Sequence, residues 1–388
     1  MKQGWEIKTL NQISVNLDSK RVPITKNIRS DGSIPYYGAS GIVDYIEEFI
    51  FDEDLLLVSE DGANLLARTY PIAFSISGKT WVNNHAHVLK FKNSITQKLV
   101  ELYLNSIKLD DYVSGMAQPK LNQSMLNKIE IPLPPLPEQL CIVSLLDKAF
   151  AAIATAKANA EQNLKNSKEL FDSYLQLVFA NKGEGWEEKT LGEVLLKTET
   201  VDPTKKPDEE FIYLDVSSVN KETKEIENAT VLLGKDAPSR ARKLIKTNDV
   251  IFATVRPTHS RVALIIEEYN EQVCSTGYFV LRSKEFLSNN LVFYFLLTYN
   301  FNKQMEKLQK GASYPAVTDS DVKGIYIPFP KSLKVQQSIV TKLDSLSAET
   351  KKLEAIYQQK VVDLEELKKS VLQKAFNGEL NTKNPVEV

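Results

Sequence analysis

From Glu138 to Ala180, apolar or small residues return at alternating spacings of three and four: Ile142, Leu146, Ala149, Ile153, Ala156, Ala160, Asn163, Ser167, Leu170, Tyr174 and Leu177. The same rhythm runs through Ile339, Leu343, Leu346, Thr350, Leu353, Tyr357, Lys360, Leu364, Leu367 and Val371. That spacing is the mark of a coiled-coil seam with a polar middle, so both stretches predict long helices. At 1.5 Å per residue each runs to about 60 Å. Neither helix can bury its stripe alone, and the economical solution pairs them antiparallel. The alternative folds each helix onto its own domain. An antiparallel pair places two globular halves at opposite ends, related by an approximate two-fold axis, and such a protein matches the two-fold symmetry of duplex DNA.

Each helix follows a proline block, and each block closes a mixed α/β region. Short β-branched and aromatic runs such as Asp249-Val250-Ile251-Phe252-Ala253-Thr254-Val255 predict strands, with Gly, Asn and Asp clusters at the turns. The chain also repeats itself. Gly4-Trp5-Glu6-Ile7-Lys8-Thr9-Leu10 returns as Gly185-Trp186-Glu187-Glu188-Lys189-Thr190-Leu191, identical at six of seven positions. Ile131-Pro132-Leu133-Pro134 is echoed by Ile327-Pro328-Phe329-Pro330, and Glu138-Gln139 with Leu146-Asp147 by Gln336-Gln337 with Leu343-Asp344. The chain is therefore a tandem duplication of one half. Between these anchors the sequences diverge: residues from about 11 to 114 share little with those from about 192 to 310, so one framework carries two unlike inserts.

Composition narrows the function. With 388 residues, two globular units are expected, because single cores stop growing at roughly 250 to 300 residues. A formal charge of -2, from 48 basic and 50 acidic residues, gives no overall excess for nucleic acid, so any DNA surface is local or shared with a partner. Cys141 and Cys274 form neither a disulfide framework nor a zinc ribbon. The start lacks an apolar signal region, and no stretch is expected to supply the roughly 20 apolar residues of a membrane span. A cytoplasmic protein is predicted.

The duplicated proline block before a long helix, Pro132-Leu133-Pro134-Pro135-Leu136-Pro137-Glu138-Gln139, resembles the junction in specificity subunits of type I restriction-modification systems. Further likenesses are Ile34-Pro35-Tyr36-Tyr37-Gly38-Ala39-Ser40-Gly41, Trp81-Val82-Asn83-Asn84-His85-Ala86-His87-Val88-Leu89, Thr254-Val255-Arg256-Pro257-Thr258 and Cys274-Ser275-Thr276-Gly277-Tyr278-Phe279-Val280-Leu281. The second proline block departs from the pattern, lacking the double proline and the Glu before Gln336. The resemblance spans essentially the whole chain. It implies an α+β fold: two α/β target recognition domains in pseudo-two-fold arrangement, separated by two long antiparallel coiled-coil helices. The expected boundaries are 1–137 and 183–335 for the recognition domains, 138–182 and 336–380 for the spacer helices, and 381–388 for a tail.

The same resemblance implies a non-catalytic chain that recognises an asymmetric bipartite site in double-stranded DNA. It also implies two methyltransferase (modification) subunits and restriction/translocase subunits as partners. No cofactor is expected in this chain; S-adenosylmethionine, ATP and Mg belong to the partners. From the residues alone, a coiled-coil scaffold or protein-interaction module without sequence-specific DNA binding is the alternative.

Catalytic and metal signals are weak. Ser77-Gly78-Lys79-Thr80 imitates the end of a P-loop, but Ala73 stands where its first glycine belongs. No Asn/Asp-Pro-Pro-Tyr/Phe run is present to hold an extruded adenine, so methyl transfer is expected from a partner. His85 and His87 alternate on one strand face, yet the third histidine, His259, lies in the other half, so no metal site is expected. These imidazoles serve either turn and core hydrogen bonding or DNA contact, beside Asn83 and Asn84, whose amides suit adenine N6 and N7. In the second insert Arg256, Thr258, His259 and Arg261 stand at a strand end as candidates for reading guanine or gripping phosphate. Arg240 and Arg242 suit phosphate or a solvated face. Gln118 and Lys120 after Gly115 occupy the place of Ser313 and Tyr314 after Gly311. Ser40, Lys79, Ser275, Thr276 and Tyr278 complete the DNA-facing set.

Overall fold

The computed structural model describes residues 2–115 and 117–380; the expected tail at 381–388 lies outside the described residues. The fold class is α+β, as predicted. The chain divides into two units, Met1–Glu161 with Gln359–Val388, and Gln162–Gln358.

In the first unit the repeated sequence anchors turn out to be partners. Strand β1 (Glu6–Thr9) pairs antiparallel with β10 (Glu130–Leu133), joining the Gly-Trp-Glu motif to the proline block. The insert between them builds two sheets. One runs β2 (Ser14–Asn16), β9 (Ala86–Phe91), β6 (Leu55–Ser59), β7 (Ala73–Ile76); the other runs β4 (Gly41–Ile46), β3 (Asp31–Gly38), β8 (Lys79–Val82), β5 (Phe51–Asp52). Strand β6 is buried throughout and apolar as far as Val58. Its alternation sends Leu56 and Val58 toward the cluster containing Val100 and Leu104 of the helix Ser94–Ser106, and Leu55 and Leu57 toward Val82 and Val88. Each such burial contributes about 2 kcal/mol.

The second unit repeats this plan with different residues. Strand β11 (Trp186–Thr190) pairs antiparallel with β19 (Tyr326–Pro330). One sheet is β16 (Val262–Leu264), β15 (Val250–Ala253), β18 (Tyr278–Leu281); the other is β13 (Thr230–Leu233), β12 (Glu210–Leu214), β17 (Val273–Ser275), β14 (Ala241–Leu244). Even the directions agree: β3 and β8 are parallel, as are β12 and β17. Where β2 pairs with β9, the second unit retains a single bridge between Leu195 and Ser283. The inserts that look unrelated in sequence are thus two copies of one topology.

The two long helices span Leu136–Ala180 and Leu333–Phe376. Each begins with a buried glutamine that explains its repetition. Gln139 Nε2 donates to Pro134 O at 2.8 Å, and Gln336 Nε2 donates to Pro330 O at 2.7 Å, each satisfying a carbonyl of the proline block. Within the first unit the helices run antiparallel. Ile142 and Leu146 share a cluster with Ala375, Phe150 carries the Lys368 ammonium over its ring, and Lys157 pairs with Glu365 at 2.5 Å. Within the second unit, Leu175 and Phe179 share a core with Val340 and Leu343.

Two expectations are corrected. The seam was placed through Leu170, Leu177, Leu353 and Leu367, but all four are exposed. In the second unit the first helix turns Leu175 and Phe179 inward instead, because it packs on Tyr294 and Phe295 as well as on its partner helix. The expectation that no stretch reaches the length and apolarity of a membrane span is also too strong. An 18-residue window within Leu136–Ala180 has a mean hydropathy of 1.5 with no more than two charged residues. Its alanine-rich composition raises the mean, while Ile142, Val143 and Leu146 are buried in a protein core.

Candidate nucleic-acid interface

The equivalent topologies place three turns side by side at one end of each central strand. In the first unit these are the turn after β6 (60–62), the turn between β8 and β9 (83–85) and the loop 114–120. Glu60 N donates to His85 O at 2.9 Å, Gly62 N to Pro119 O at 3.0 Å, and Leu121 N to Glu60 O at 2.8 Å. The second unit has the same three bonds: Thr254 N to Gly277 O at 2.8 Å, Arg256 N to Pro315 O at 2.7 Å, and Val317 N to Thr254 O at 2.9 Å. The outer loops close alike, through paired bonds between Ser114 and Lys120 and between Lys310 and Ala316. In both, a left-handed glycine allows the turn, Gly115 at φ +85° and Gly311 at φ +101°.

Most sequence-predicted site residues gather on these rims, but not all face solvent. Asn83 and Ser275 occupy one place in the two copies and do one job. Asn83 Oδ1 accepts His85 N at 2.8 Å and Ser275 Oγ accepts Gly277 N at 3.2 Å, and both residues are buried turn-formers. His87 and Tyr278 are buried as well; the Tyr278 hydroxyl donates to the carbonyls of Asp215 and Val216. Burial pushes the Tyr278 phenol far up, so it stays a neutral donor.

Exposed on the first rim are Asn84, His85, Gln118 and Lys120. Ser40 stands nearby, exposed, with its hydroxyl 3.1 Å from that of Tyr70, on the hairpin turn whose Ala39 carbonyl accepts Ser59 Oγ at 2.6 Å. Lys79 does not join them. It starts β8, at the strand end away from the 83–85 turn, over the Phe49 ring at 4.7 Å; the P-loop-like run is the β7–β8 turn, with no helix to cradle phosphate.

Exposed on the second rim are Arg240, Arg256, His259, Thr276, Ser313 and Tyr314, with Thr258 half-buried between them. Thr276 N donates to Arg240 O at 2.8 Å, which brings the basic cluster to the rim. Two neighbours are committed elsewhere: Arg261 donates to Val219 O, and Arg242 meets Asp202 at 3.4 Å.

Beneath the first rim lies a charged clamp that sequence reasoning missed. Arg21 Nη1 donates to Glu60 at 2.6 Å and to Ala86 O at 2.8 Å, tying two turns together. His87 Nδ1 meets Asp18 at 2.6 Å and Nε2 meets Leu121 O at 2.7 Å, reaching the third. Both ring nitrogens are thereby engaged, one by a carboxylate and one by a backbone carbonyl. Burial opposes ionisation of Asp18 and Glu60. The bonds and charges of His87 and Arg21, with Lys120 for Glu60, prevail, and both carboxyls sit below their ordinary values.

Asp18, Glu60 and His87 do bring ligand-type atoms within 4.8 Å of one another, which corrects the expectation that His87 lacks companions for a metal. The donor chemistry favours the clamp, since Arg21 and Lys120 already neutralise the carboxylates and both nitrogens of the His87 ring are taken up by Asp18 and Leu121 O. In the second unit Lys243, on β14, plays Arg21's part from a strand rather than a loop. Its Nζ donates to Tyr278 O at 2.6 Å, the equivalent of Ala86 O, and to Asp319 at 2.9 Å.

A family model described as the type I restriction modification DNA specificity domain matches residues 2–166 and again 183–361. The chain belongs to that family. Its specificity subunits are non-catalytic and select the DNA sequence on which a restriction-modification system acts, which decides against the scaffold alternative. Among relatives of this specificity family, the chain is 34% identical over 151 residues to a provisionally named specificity subunit of Haemophilus influenzae. That alignment covers 38% of this chain and 39% of the relative's length. The MjaVIII specificity subunit of Methanocaldococcus jannaschii is 23% identical over 414 residues, covering 98% of this chain and 94% of that one. A crystal structure of the HsdS subunit from Thermoanaerobacter tengcongensis aligns over 48% of each chain at 38% identity, with a TM-score of 0.45.

Proposed function

We propose that the chain reads an asymmetric bipartite site in double-stranded DNA, the rim of each unit meeting one half-site. One observation carries this reading: topologically equal rims present unlike side chains. A protein with one address to read twice would keep its rim residues alike. Here Asn84, His85, Gln118 and Lys120 stand against Thr276, Arg256, Ser313 and Tyr314. Residues 1–137 and 183–335 act as the recognition domains and 138–182 and 336–380 as the spacers.

The chemistry is supplied from outside. Two modification subunits bring S-adenosylmethionine and methylate adenine N6. Restriction subunits bring ATP- and Mg-dependent translocation and cleavage, all in the cytoplasm. Apolar side chains left exposed on the long helices, Leu140 and Leu367 in one unit and Leu170 and Leu353 in the other, support partner docking there. Replacing residues 11–114 with a relative's segment, in cells supplying the modification partner, changes one half of the methylated motif and leaves the other intact. A methylome in which both halves change, or neither does, refutes the proposal.

A further inference from the structure

We infer that the second unit reads a guanine, within a G·C pair of its half-site, through Arg256. This rests on the bipartite reading above and adds which unit carries the arginine-guanine contact. The sequence has eight arginines. Among the described residues, six have guanidinium partners: Arg21, Arg29 and Arg282 on carboxylates, Arg68 and Arg261 on backbone carbonyls, Arg242 on both. The two whose guanidinium groups have no hydrogen-bonding or carboxylate partner among the described residues, Arg240 and Arg256, are both exposed on the second rim.

Arg256 has a further distinction. Its backbone is left-handed, φ +50° and ψ +56°, directly before Pro257. The first unit places Gly62, φ +109°, at the equivalent position. Bulky residues rarely occupy that conformation, and a residue before proline is pushed away from helical backbone angles. A long charged side chain at a glycine position is explained by what the side chain does. Its surroundings hold it in place: Arg256 N donates to Pro315 O, Tyr314 lies under the guanidinium at 5.4 Å, and Asn302 Nδ2 ties down Ser260 Oγ at 2.5 Å, where the loop is left-handed again at φ +48°.

Phosphate needs only a cation within reach, whereas the O6 and N7 edge of guanine needs a planar fork at a fixed position. An arginine with its backbone held and its guanidinium over a ring fits the second demand. Among the described residues the first rim has no counterpart, because Arg21 is spent on Glu60 and Ala86 O, and its exposed groups include amides, an imidazole, a lysine and the nearby Ser40 hydroxyl but no guanidinium.

The test uses the full chain co-expressed with its modification partner, reading the methylome. The half-site that survives replacement of residues 11–114 is expected to contain a G·C pair. Arg256→Gly relaxes that pair alone, with methylation of the original site falling on the order of ten- to a hundredfold. Arg256→Lys does the same, although a phosphate contact would tolerate lysine. In gel shifts of the complex, 7-deazaguanine at that position weakens the wild type and leaves Arg256→Gly unchanged. Co-purification of each variant with the modification partner shows that it has folded. A half-site without a G·C pair, or a variant that weakens methylation uniformly with the motif intact, overturns the guanine assignment and leaves bipartite reading standing. Absence of any motif overturns both.

Discussion

The two inserts share a strand order, a parallel pair and three rim bonds, yet the polar groups holding those strands are differently built. On β9, Lys90 reaches out to Glu53, with side chains 50% and 25% exposed. At the equivalent place, just past the end of β18, Arg282 makes a two-pronged contact with Asp249, whose carboxylate is 1% exposed, and also meets Glu199. Lys246 and Arg282 hold the Glu199 carboxyl down to about 2. The framework dictates where a cation meets an acid, and the insert decides whether that meeting is solvated or buried. The same freedom shows beneath the rims, where one carbonyl is held by Arg21 and its equivalent by Lys243.

The comparison can be broken most directly at these paired sites. Arg282→Ala leaves Asp249 buried without its partner and is expected to destabilise the second unit by about 3 kcal/mol, whereas Lys90→Ala costs the first about 0.5 kcal/mol or less. Denaturant melts of the two variants check this, and equal losses would show that the sites are not differently built. Next come the rim glycines. A Cβ on Gly115 would meet Gln118 O at 2.6 Å, and one on Gly311 would meet Tyr314 O at 3.0 Å. Gly115→Ala is therefore predicted to cost about 2 kcal/mol and Gly311→Ala about 1 kcal/mol, each through the left-handed penalty with the closer approach added. Reversal of that order in thermal unfolding contradicts it.

The smallest effect is an acid response. Asp18 and Glu60 have carboxyls lowered in the folded state from 3.8 and 4.5. Their contribution is therefore complete above those values and is lost as pH falls through the lower folded ones. Hydrogen exchange at the Leu121 amide, bonded to Glu60 O, should accelerate on acidification beyond the ordinary intrinsic trend. The Val317 amide, bonded to the carbonyl of Thr254, a residue with no carboxylate of its own, should not. Parallel behaviour of the two amides would remove the clamp's role.

The framework was legible because it is written in features that sequence displays. Helical rhythm marks the long helices, and Gly4–Leu10 and Ile131–Pro134 recur because they are the two strands of one small sheet. The kinship of the inserts was not legible. Backbone bonds between strands ask only for alternation and burial, so Leu55–Ser59 and Val250–Ala253 can share a role while sharing little sequence. The candidate site was half legible. Exposed Arg256 and Lys120 stood out by chemistry, whereas His87, Ser275 and Tyr278 carried the same residue types into the interior. The Arg21 and Asp18 contribution left no local signal, because its partners lie 39 to 69 positions away.

The rim loops are each pinned by backbone bonds at their two ends, 114 to 120 and 310 to 316. Unlike the turn-forming Gly115 and Gly311, the exposed side chains between such pins, Gln118 and Ser313 among them, bear little of the folding load. A lineage can therefore exchange them one at a time and wander among target words, each intermediate remaining a competent, folded reader. Heritable change in what is recognised needs no change in how the molecule stands up.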